Sequence, residues 1–428
     1  LQVALGQRLG GLGRHDAAEA TLLPLLDGPA DVAARLALAE LRLSQQRWDA
    51  ALETLREGVA RHPDHAELLT RQAAMAWMLG DAAHFADALR RAVERHPGDG
   101  GLRLALAGTL ENAGLAEEAE RALRDGIGAG LPDFRLHALL ARRCAETGRI
   151  AEATRLASAA LAALPELELV REQVAIVELV GQRADEALAH TRWLLQRRPR
   201  GQFALALHVL ALRLAADARW RDWADPERVC RIATLAAPAD FGSIEAFNAA
   251  LAERLRARHT LKAHPLKNSV RGGTQVEIDP LTETDPLLRQ FFALIESAVR
   301  DFARAMPADV GHPLFGRRSE RFRLSGCWTV RLTGSSGSHV SHVHPRGWLS
   351  SAYYVSVPPE LAGDPAKAGW LSFGRPPYPI DGLGPIGWVE PKPGRLALFP
   401  SYQWHGVERF PGDGERMTIA FDVVPRLS

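Results

Sequence analysis

Cysteine, tyrosine and methionine are scarce in this chain of 428 residues, which has three cysteines, four tyrosines and four methionines. Cys144, Cys230 and Cys327 are scattered along the chain and form no CxxC pair. Three such residues do not make a disulfide framework. A reducing compartment is the simplest setting for these thiols, so we predict a cytoplasmic location.

Net charge and long apolar runs are also missing. The 52 basic and 51 acidic residues nearly cancel, which argues against electrostatic binding of nucleic acid or of a membrane surface. No apolar run approaches the roughly 20 residues that cross a bilayer. The first residues lack the basic start and apolar stretch of a signal peptide, although a chain beginning at Leu1 leaves a trimmed leader open. We predict neither a nucleic-acid nor a membrane partner, and the sequence predicts no oligomeric state.

The scarce aromatic residues are unevenly distributed. Residues 1–200 contain no tyrosine, whereas all four tyrosines lie after residue 350. Five of the ten tryptophans lie beyond residue 327, among many glycines and prolines. This shift in composition indicates two domains of different class.

Prolines and alanines recur through the first half of the chain with a period close to 34 residues. The prolines are spaced by 34, 34, 35, 33 and 34 residues, at Pro29, Pro63, Pro97, Pro132, Pro165 and Pro199. One alanine set consists of Ala39, Ala73, Ala107, Ala141 and Ala175. A second set consists of Ala17, Ala51, Ala119, Ala153 and Ala187, with Phe85 at the missing step. Glycines lie between the sets at Gly80, Gly114, Gly148 and Gly181.

This unit of helix, glycine turn, helix and proline break resembles the tetratricopeptide repeat. Alanine lets the two helices of a pair approach closely, glycine supplies the turn, and proline ends the second helix. Three residue sets with one period disfavour the alternative, an irregular helical bundle. The resemblance implies an all-α solenoid whose groove binds a peptide or protein segment.

Beyond about residue 241 the pattern changes to short strands. Two amphipathic helices, near residues 244–258 and 287–306, precede the strand segments CWTVRL, SSAYYVSV, GWLSF, RLALFP and MTIAFDVV. Glycine and proline clusters separate these segments. Short strands between turn signals are typical of a β-sandwich or barrel.

Histidines crowd into the segment HVSHVHP of this second domain. His342 and His344 are two residues apart on an expected strand, so both side chains point to one face, as two ligands of one metal must. His405, after a distant strand, would complete a facial set of three. His339 is three residues from His342, and we expect it on the other face of the strand.

Arg416 and Thr418 lie two apart on the last predicted strand and so share a face. A guanidinium group binds a carboxylate through two parallel hydrogen bonds, and a hydroxyl adds a further donor. The pair therefore predicts a clamp for an acidic co-substrate.

Residues 262–428 resemble the iron(II)- and 2-oxoglutarate-dependent oxygenases. The resemblance is carried by HxHP at residues 342–345, a serine-rich strand with Tyr353 and Tyr354, FPSxxxH ending at His405, and an arginine on the closing strand. It implies an α+β double-stranded β-helix (jelly-roll) fold. It also implies Fe(II) and O2 as cofactors and 2-oxoglutarate as co-substrate.

The same resemblance implies the roles of individual residues. His342 and His405 match iron ligands, and Arg416 with Thr418 matches the clamp for the far carboxylate of 2-oxoglutarate. Tyr354 matches a tyrosine that hydrogen-bonds 2-oxoglutarate, whereas Tyr353 is expected to face the opposite side.

Position 344 departs from the usual pattern of this superfamily, which has Asp or Glu there. Three interpretations stay open. His344 ligates iron in a three-histidine site, or it turns away and leaves two ligands, or the site has lost iron and catalysis. Because HxHP is itself the form in the most similar group, we predict ligation.

These observations predict a tetratricopeptide-repeat solenoid over residues 1–225, a helical linker over 226–261 and a jelly-roll oxygenase domain over 262–428. The predicted function is a 2-oxoglutarate- and Fe(II)-dependent dioxygenase that hydroxylates a peptide or protein captured by the repeat groove. The alternative is an interaction scaffold with a catalytically silent jelly roll. A weaker alternative is a cupin-like metal enzyme that does not use 2-oxoglutarate.

Overall fold

A computed structural model describes residues 1–334 and 337–426 of the chain. The chain divides into two compact units. The first comprises residues 1–140 and 261–268, and the second comprises residues 141–260 and 269–428. Among the described residues, no helix combines the length and apolar character that crossing a membrane requires.

Helices that pack in consecutive pairs make up the first unit. They are α1 (Gln2–Gly10), α2 (His15–Leu22), α3 (Asp31–Ser44), α4 (Trp48–Arg61), α5 (Ala66–Met78), α6 (Asp87–Arg95), α7 (Gly100–Asn112), α8 (Ala116–Gly128) and α9 (Phe134–Glu146), which contains the unit boundary. A short 3₁₀ helix, Leu23–Leu25, follows α2. This arrangement confirms the predicted all-α repeat architecture.

The periodic residues take the positions that their chemistry predicts. Ala39, Ala73 and Ala107 are at most 3 % exposed. A larger side chain at these buried positions would hold the paired helices apart. Pro63 and Pro97 each lie two residues beyond the end of a second helix, α4 and α6 respectively. Each proline follows its helix closely and blocks its continuation.

The turns inside the helix pairs use the left-handed region of backbone conformation. Gly80 and Gly114 have φ angles of 97° and 82°. Gly181 does not take this conformation, since its φ is −73°. The next residue, Gln182, takes it instead with a φ of 62°, and Gln46 does the same in an earlier repeat with a φ of 57°. A side chain in this region costs roughly 1 kcal/mol, which helical packing offsets.

Further helices and a pair of antiparallel sheets form the second unit. The helices are α10 (Ile150–Ala163), α11 (Glu168–Val180), α12 (Ala184–Arg197), α13 (Gln202–Leu214), α14 (Arg219–Ala224), α15 (Pro226–Val229), α16 (Ile244–Arg256) and α17 (Pro286–Ala305). The strands are β1 (Arg231–Thr234), β2 (Val270–Arg271), β3 (Gly273–Glu277), β4 (Phe322–Thr333), β5 (Ser338–His342), β6 (Leu349–Ser356), β7 (Leu371–Phe373), β8 (Gly387–Val389), β9 (Arg395–Pro400), β10 (His405–Val407) and β11 (Glu415–Pro425). Two 3₁₀ helices, Phe315–Arg317 and Pro359–Leu361, lie between them.

One sheet has the strand order β1-β9-β6-β11-β4-β3 and the other β2-β5-β10-β7-β8. Apolar residues of both sheets form one cluster, which we call the inner core; it includes Val330, Tyr354, Phe373, Phe399 and Val407. The sheets therefore pack face to face as a jelly roll, which confirms the predicted fold class.

The other face of the six-stranded sheet is covered by helices. Residues of β6 and β11 such as Tyr353 and Ile419 cluster with α16 and α17 and with residues of α11 to α13, a set that we call the outer core. Alternation along β6 thus sends Tyr353 to the outer core and Tyr354 to the inner core.

The predicted boundaries at residues 225 and 262 do not coincide with the limits of the compact units. Helices α11 to α13 share the outer core with the sheet. Conversely, segment 261–268 packs with the first unit, where the backbone N–H groups of Lys262 and Ala263 both donate to the carbonyl of Met78 at the end of α5. The predicted boundaries were placed where the residue composition changes, whereas the compact units are defined by contacts within the fold. As limits of sequence domains, the boundaries stay a prediction.

Candidate metal centre

Three of the predicted residues, His342, His344 and His405, meet at one end of the inner core. Each offers a ring nitrogen, and the three nitrogens lie within 4.8 Å of one another. His342 is the last residue of β5 and lies opposite His405, the first residue of β10. His344 lies two residues past β5, where its N–H donates to the carbonyl of Ser401. The structure brings together all three histidines of the predicted set.

The Nδ1 atom of each histidine is held by an acceptor. His342 Nδ1 lies 2.9 Å from its acceptor and His405 Nδ1 lies 2.9 Å from its own, the backbone carbonyls of Val340 and Gln403 respectively. His344 Nδ1 lies 2.6 Å from Oδ1 of Asp422. A carbonyl or carboxylate oxygen accepts but does not donate, so the proton of each neutral ring is on Nδ1. The Nε2 atoms therefore carry lone pairs, the form that binds a metal.

Two of these lone pairs face one another. His342 Nε2 and His344 Nε2 are 3.1 Å apart, although neither carries a proton in the tautomers just assigned. Two nitrogens bound at right angles to one metal, with bonds of about 2.1 Å, would be about 3.0 Å apart. The donor set and this spacing fit a divalent transition metal, for which imidazole is a suitable ligand.

The surroundings keep the rings of His342 and His405 neutral. Burial, followed by the neighbouring His344, lowers the pKa of His342 to about 3. Burial and the adjacent histidines also hold the pKa of His405 well below its usual value. No proton therefore competes for these lone pairs at neutral pH.

His405 is held in place by a turn that is tied to helices. The side chains of Tyr402, Gln403 and Trp404 each donate to a backbone carbonyl within the helical region 206–224, over 2.8, 3.1 and 3.2 Å. Tyr402 and Trp404 also belong to the outer core. These contacts hold the segment FPSYQWH, and with it His405, against the helices.

His339 lies on the same side as His342, and our expectation that it faces away was wrong. The two rings stack with centres 6.1 Å apart, and the hydroxyl of Ser269 lies within hydrogen-bond distance of both, 3.0 Å from His339 Nδ1 and 3.2 Å from His342 Nε2. The reason is a β-bulge, because β10 pairs His405 with His342 but Val407 with His339. One extra residue in β5 brings positions three apart to one face.

Arg416 is buried at 2 % exposure beside the inner core. Its Nε donates to the carbonyl of Gly369 over 3.1 Å, and its guanidinium carbon lies 5.1 Å from the ring centre of Tyr354. No carboxylate of the described residues pairs with it. Burial lowers its pKa, which the nearby Tyr354 opposes. Thr418, also buried, follows two positions later on the same face of β11 and pairs across to Tyr354.

The hydroxyl of Tyr354 is fully buried, lies beside Arg416, and donates no hydrogen bond to the described residues. By contrast, the hydroxyl of Tyr353 donates to Asn248 over 2.7 Å. Burial raises the pKa of Tyr354, although the charge of Arg416 opposes the rise, so the hydroxyl keeps its proton. A buried cation without a counter-ion and an unpaired donor are the partners that a carboxylate ligand needs. These residues therefore fit 2-oxoglutarate.

Two polar residues of the site were not singled out from the sequence. Asp422 is the one charged residue in the apolar segment MTIAFDVV, and a lone charge on a buried strand is the signal that could have found it. Ser269 lies in an irregular segment that precedes β2. No periodicity or motif marks it.

Three family models match the chain, and two of them describe tetratricopeptide repeats. Residues 326–422 match the family described as "Putative 2OG-Fe(II) oxygenase". Tetratricopeptide repeats match at residues 3–57, 36–100 and 79–143. The chain thus carries tetratricopeptide repeats followed by a 2-oxoglutarate/Fe(II) oxygenase domain, which confirms both predicted resemblances.

Comparison with curated proteins gives no match. Similar solved structures include a Pseudomonas putida prolyl-4-hydroxylase, with 18% identity over 47% of this chain and 96% of that chain and a TM-score of 0.33. A prolyl hydroxylase from Trichoplax adhaerens, in complex with a hypoxia inducible factor peptide fragment, shows 15% identity over 54% and 92% of the chains and a TM-score of 0.31. A tetratricopeptide repeat protein from Parabacteroides merdae shows 15% identity over 51% and 87% and a TM-score of 0.36.

Proposed function

We propose that the chain is a 2-oxoglutarate- and Fe(II)-dependent dioxygenase that hydroxylates a peptide or protein substrate. The observation that carries the proposal is the convergence of three histidine ring nitrogens in a domain with a buried arginine that lacks a counter-ion. The oxygenase family of this domain supports the same chemistry.

In this proposal His342, His344 and His405 bind the metal through Nε2. Bound Fe(II) and 2-oxoglutarate would supply the activation of O2 and the oxidation of a substrate C–H bond, with succinate and CO2 as the other products. The protein holds the ligand set in place and lines the site with the apolar inner core, which limits access of water.

Arg416, Thr418 and Tyr354 would bind the co-substrate. The two terminal nitrogens of the Arg416 guanidinium can donate to both oxygens of a carboxylate, since its Nε is already used by Gly369. The unpaired hydroxyl of Tyr354 and that of Thr418 can donate to the same anion. Binding would thereby neutralise a buried charge and satisfy a buried donor.

The repeats supply the argument for a polypeptide substrate. Solenoids of this type bind extended peptides or protein surfaces, and the proposal assigns substrate capture to them. The peptide or protein nature of the substrate and the cytoplasmic location stay predictions.

The alternative is an interaction scaffold with a silent jelly roll. Its best support is the histidine at position 344 in place of a carboxylate. A protein without co-substrate, however, would keep Arg416 buried and unpaired at a cost of several kcal/mol. This cost favours the oxygenase.

Anaerobic titration of the metal-free protein with Fe(II) and 2-oxoglutarate tests the proposal. We expect a weak visible charge-transfer band that requires both additions, as the family resemblance implies. Loss of the band in His342→Ala and His405→Ala, with unchanged unfolding of the metal-free proteins, would support the ligand set. A parent protein that binds Fe(II) and 2-oxoglutarate without such a band, or binds neither, would overturn the proposal.

The clamp is tested separately with Arg416→Ala. We expect this variant to retain Fe(II) but to require far more 2-oxoglutarate for the band. Arg331→Ala is the matched control, because Arg331 lies on the neighbouring strand β4 and pairs with Glu415 instead. Loss of iron binding in Arg416→Ala would mean that the clamp is misassigned.

A further inference from the structure

Asp422 lies directly behind His344, on the side away from the other two histidines' Nε2 atoms. Its Oδ1 accepts from His344 Nδ1 over 2.6 Å and from the hydroxyl of Ser350 over 2.7 Å. The Ser350 hydroxyl in turn lies 2.9 Å from that of Ser401. Both side chains of the Asp422–His344 pair are largely buried, at 14 % and 10 % exposure. This carboxylate is therefore fixed in position and mostly shielded from water.

No positively charged side chain balances Asp422. Among residues 1–334 and 337–426, it forms no ion pair with an arginine or lysine, and its one ion-pair partner is His344. Burial of a carboxylate without an arginine or lysine partner is unfavourable, since the donors that it has are an imidazole N–H and a hydroxyl. A divalent ion at His344 Nε2 would place the missing positive charge on the far side of the ring.

We propose that Asp422 is the positioning residue and the counter-charge of the metal centre. Position 344 has no carboxylate to bind the metal directly, and Asp422 supplies the negative charge from behind the His344 ring instead. The inference rests on the proposed function in one respect, namely that the three histidines bind a metal. Asp422 holds the Nδ1–H tautomer of His344 and thereby directs the Nε2 lone pair inward. Its charge raises the basicity of the ring and offsets part of the metal charge.

This relationship accounts for the departure at position 344. With Asp or Glu as a ligand, the site would carry one negative charge in direct contact with the metal. With His344 the ligands are neutral, but the pair His344–Asp422 carries the same formal charge.

Titration of the metal-free protein with Co(II), followed by its visible absorption, measures the contribution of Asp422 without any catalytic turnover. Asp422→Asn keeps one oxygen acceptor in a side chain of the same shape, removes the charge and replaces the second carboxylate oxygen by an amide donor. We expect its Co(II) dissociation constant to rise by about 10- to 100-fold. Asp422→Ala, which also frees the tautomer, should bind still more weakly. Ser350→Ala is the matched control and should stay within about 3-fold of the parent, because it leaves the carboxylate on His344.

The same substitution of Asp422 in a His344→Asp protein distinguishes a counter-charge role of Asp422 from a purely structural role. In His344→Asp, the charge is restored at the ligand position, so adding Asp422→Asn should no longer weaken Co(II) binding. Thermal unfolding of each metal-free variant reports any loss of fold independently. Such a cycle isolates the coupling between the two positions.

The outcomes distinguish failure of the metal site from failure of the counter-charge role of Asp422. A parent protein that binds no Co(II) would overturn both the metal site and the role of Asp422. A parent that binds Co(II) with Asp422→Asn binding equally well would overturn only the counter-charge. Equal weakening by Asp422→Asn in the parent and in the His344→Asp background would show a structural role and would also overturn it.

Discussion

The hydroxyl oxygen of Ser269 lies 3.2 Å from Nε2 of His342. Because His342 Nδ1 donates to the carbonyl of Val340, Nε2 carries the lone pair. The Ser269 hydroxyl is therefore the donor, and its hydrogen bond uses the lone pair that a metal would need. The Ser269 hydroxyl also lies 3.0 Å from His339 Nδ1, which accepts from it when the proton of that ring is on Nε2. Metal binding at His342 therefore requires the hydroxyl to transfer its hydrogen bond, and His339 is placed to receive it.

We predict that Ser269→Ala tightens metal binding, because it removes a competing donor from His342. One hydrogen bond is worth about 1 kcal/mol, so the dissociation constant for Co(II) should fall by up to about 5-fold. Ser341→Ala is the control, since the Ser341 hydroxyl donates to the carbonyl of Arg375 instead. Weaker binding by Ser269→Ala would indicate that the hydroxyl supports the bound state and not the free one.

His339 shows what strand alternation can and cannot predict. The alternation rule places His342 and His344 on one side, and the structure brings both to the same centre. The same rule sends His339 to the opposite side, but the bulge between β5 and β10 reverses it. A bulge depends on how two distant strands align, and a single strand's sequence does not record that alignment.

Other features are predictable because they repeat or are local. The 34-residue period predicts helix pairs, buried alanines and tight turns, and the first unit contains all three. Proline and glycine end helices and form turns within a few residues of their own position, so these features can be predicted from the sequence. The contact of Asp422 with His344 spans 78 positions. Only the packing of β11 against β6 and against the segment that precedes β6 brings them together.

We predict opposite effects of Tyr354→Phe on stability and on co-substrate binding. The Tyr354 hydroxyl is buried and donates no hydrogen bond to the described residues, so its removal should raise the free energy of unfolding of the ligand-free protein by about 1 kcal/mol. The same change removes a donor to 2-oxoglutarate and should weaken its binding by about 10-fold.

Thermal unfolding with and without 2-oxoglutarate and a metal measures both effects of Tyr354→Phe. The control is Tyr353→Phe, which removes a satisfied hydroxyl, bonded to Asn248, and should lower stability without changing 2-oxoglutarate binding. A Tyr354→Phe protein that is less stable yet binds 2-oxoglutarate normally would assign this hydroxyl to the fold.

We predict that Gly114→Ala lowers the free energy of unfolding by about 1 kcal/mol through the backbone alone. Gly114 has a φ of 82°, and an added Cβ meets no atom of a more distant residue within 4 Å, so only the contact of Cβ with its local backbone contributes. Gly108→Ala is the matched control in the interior of α7, where an added Cβ likewise meets no atom. There alanine should raise stability by roughly 0.5 to 1 kcal/mol. Urea unfolding of both variants checks the signs, and a loss at both positions would contradict the backbone explanation.

The stability of the second unit should decrease in mild acid because two buried histidines away from the metal centre resist protonation. Burial, followed by nearby arginines, lowers the pKa of His208 and of His259 to about 4. His208 bonds to Thr191, and the two ring nitrogens of His259 contact threonine hydroxyls at 2.7 and 3.3 Å. In the unfolded chain histidine titrates near pH 6.5.

Between about pH 6.5 and about pH 4 the unfolded state therefore binds more protons than the folded state, and the free energy of unfolding falls as the pH falls. The stabilisation is complete above about pH 6.5, and each histidine contributes at most about 3 kcal/mol to the loss. Urea unfolding at about pH 7.5 and about pH 5 measures the difference. His259→Gln keeps polar contacts but does not titrate, so its pH dependence should be smaller than that of the parent. An equal dependence in the variant would assign the acid sensitivity to other groups, since a residue whose protonation is linked to unfolding must change the slope when it is removed.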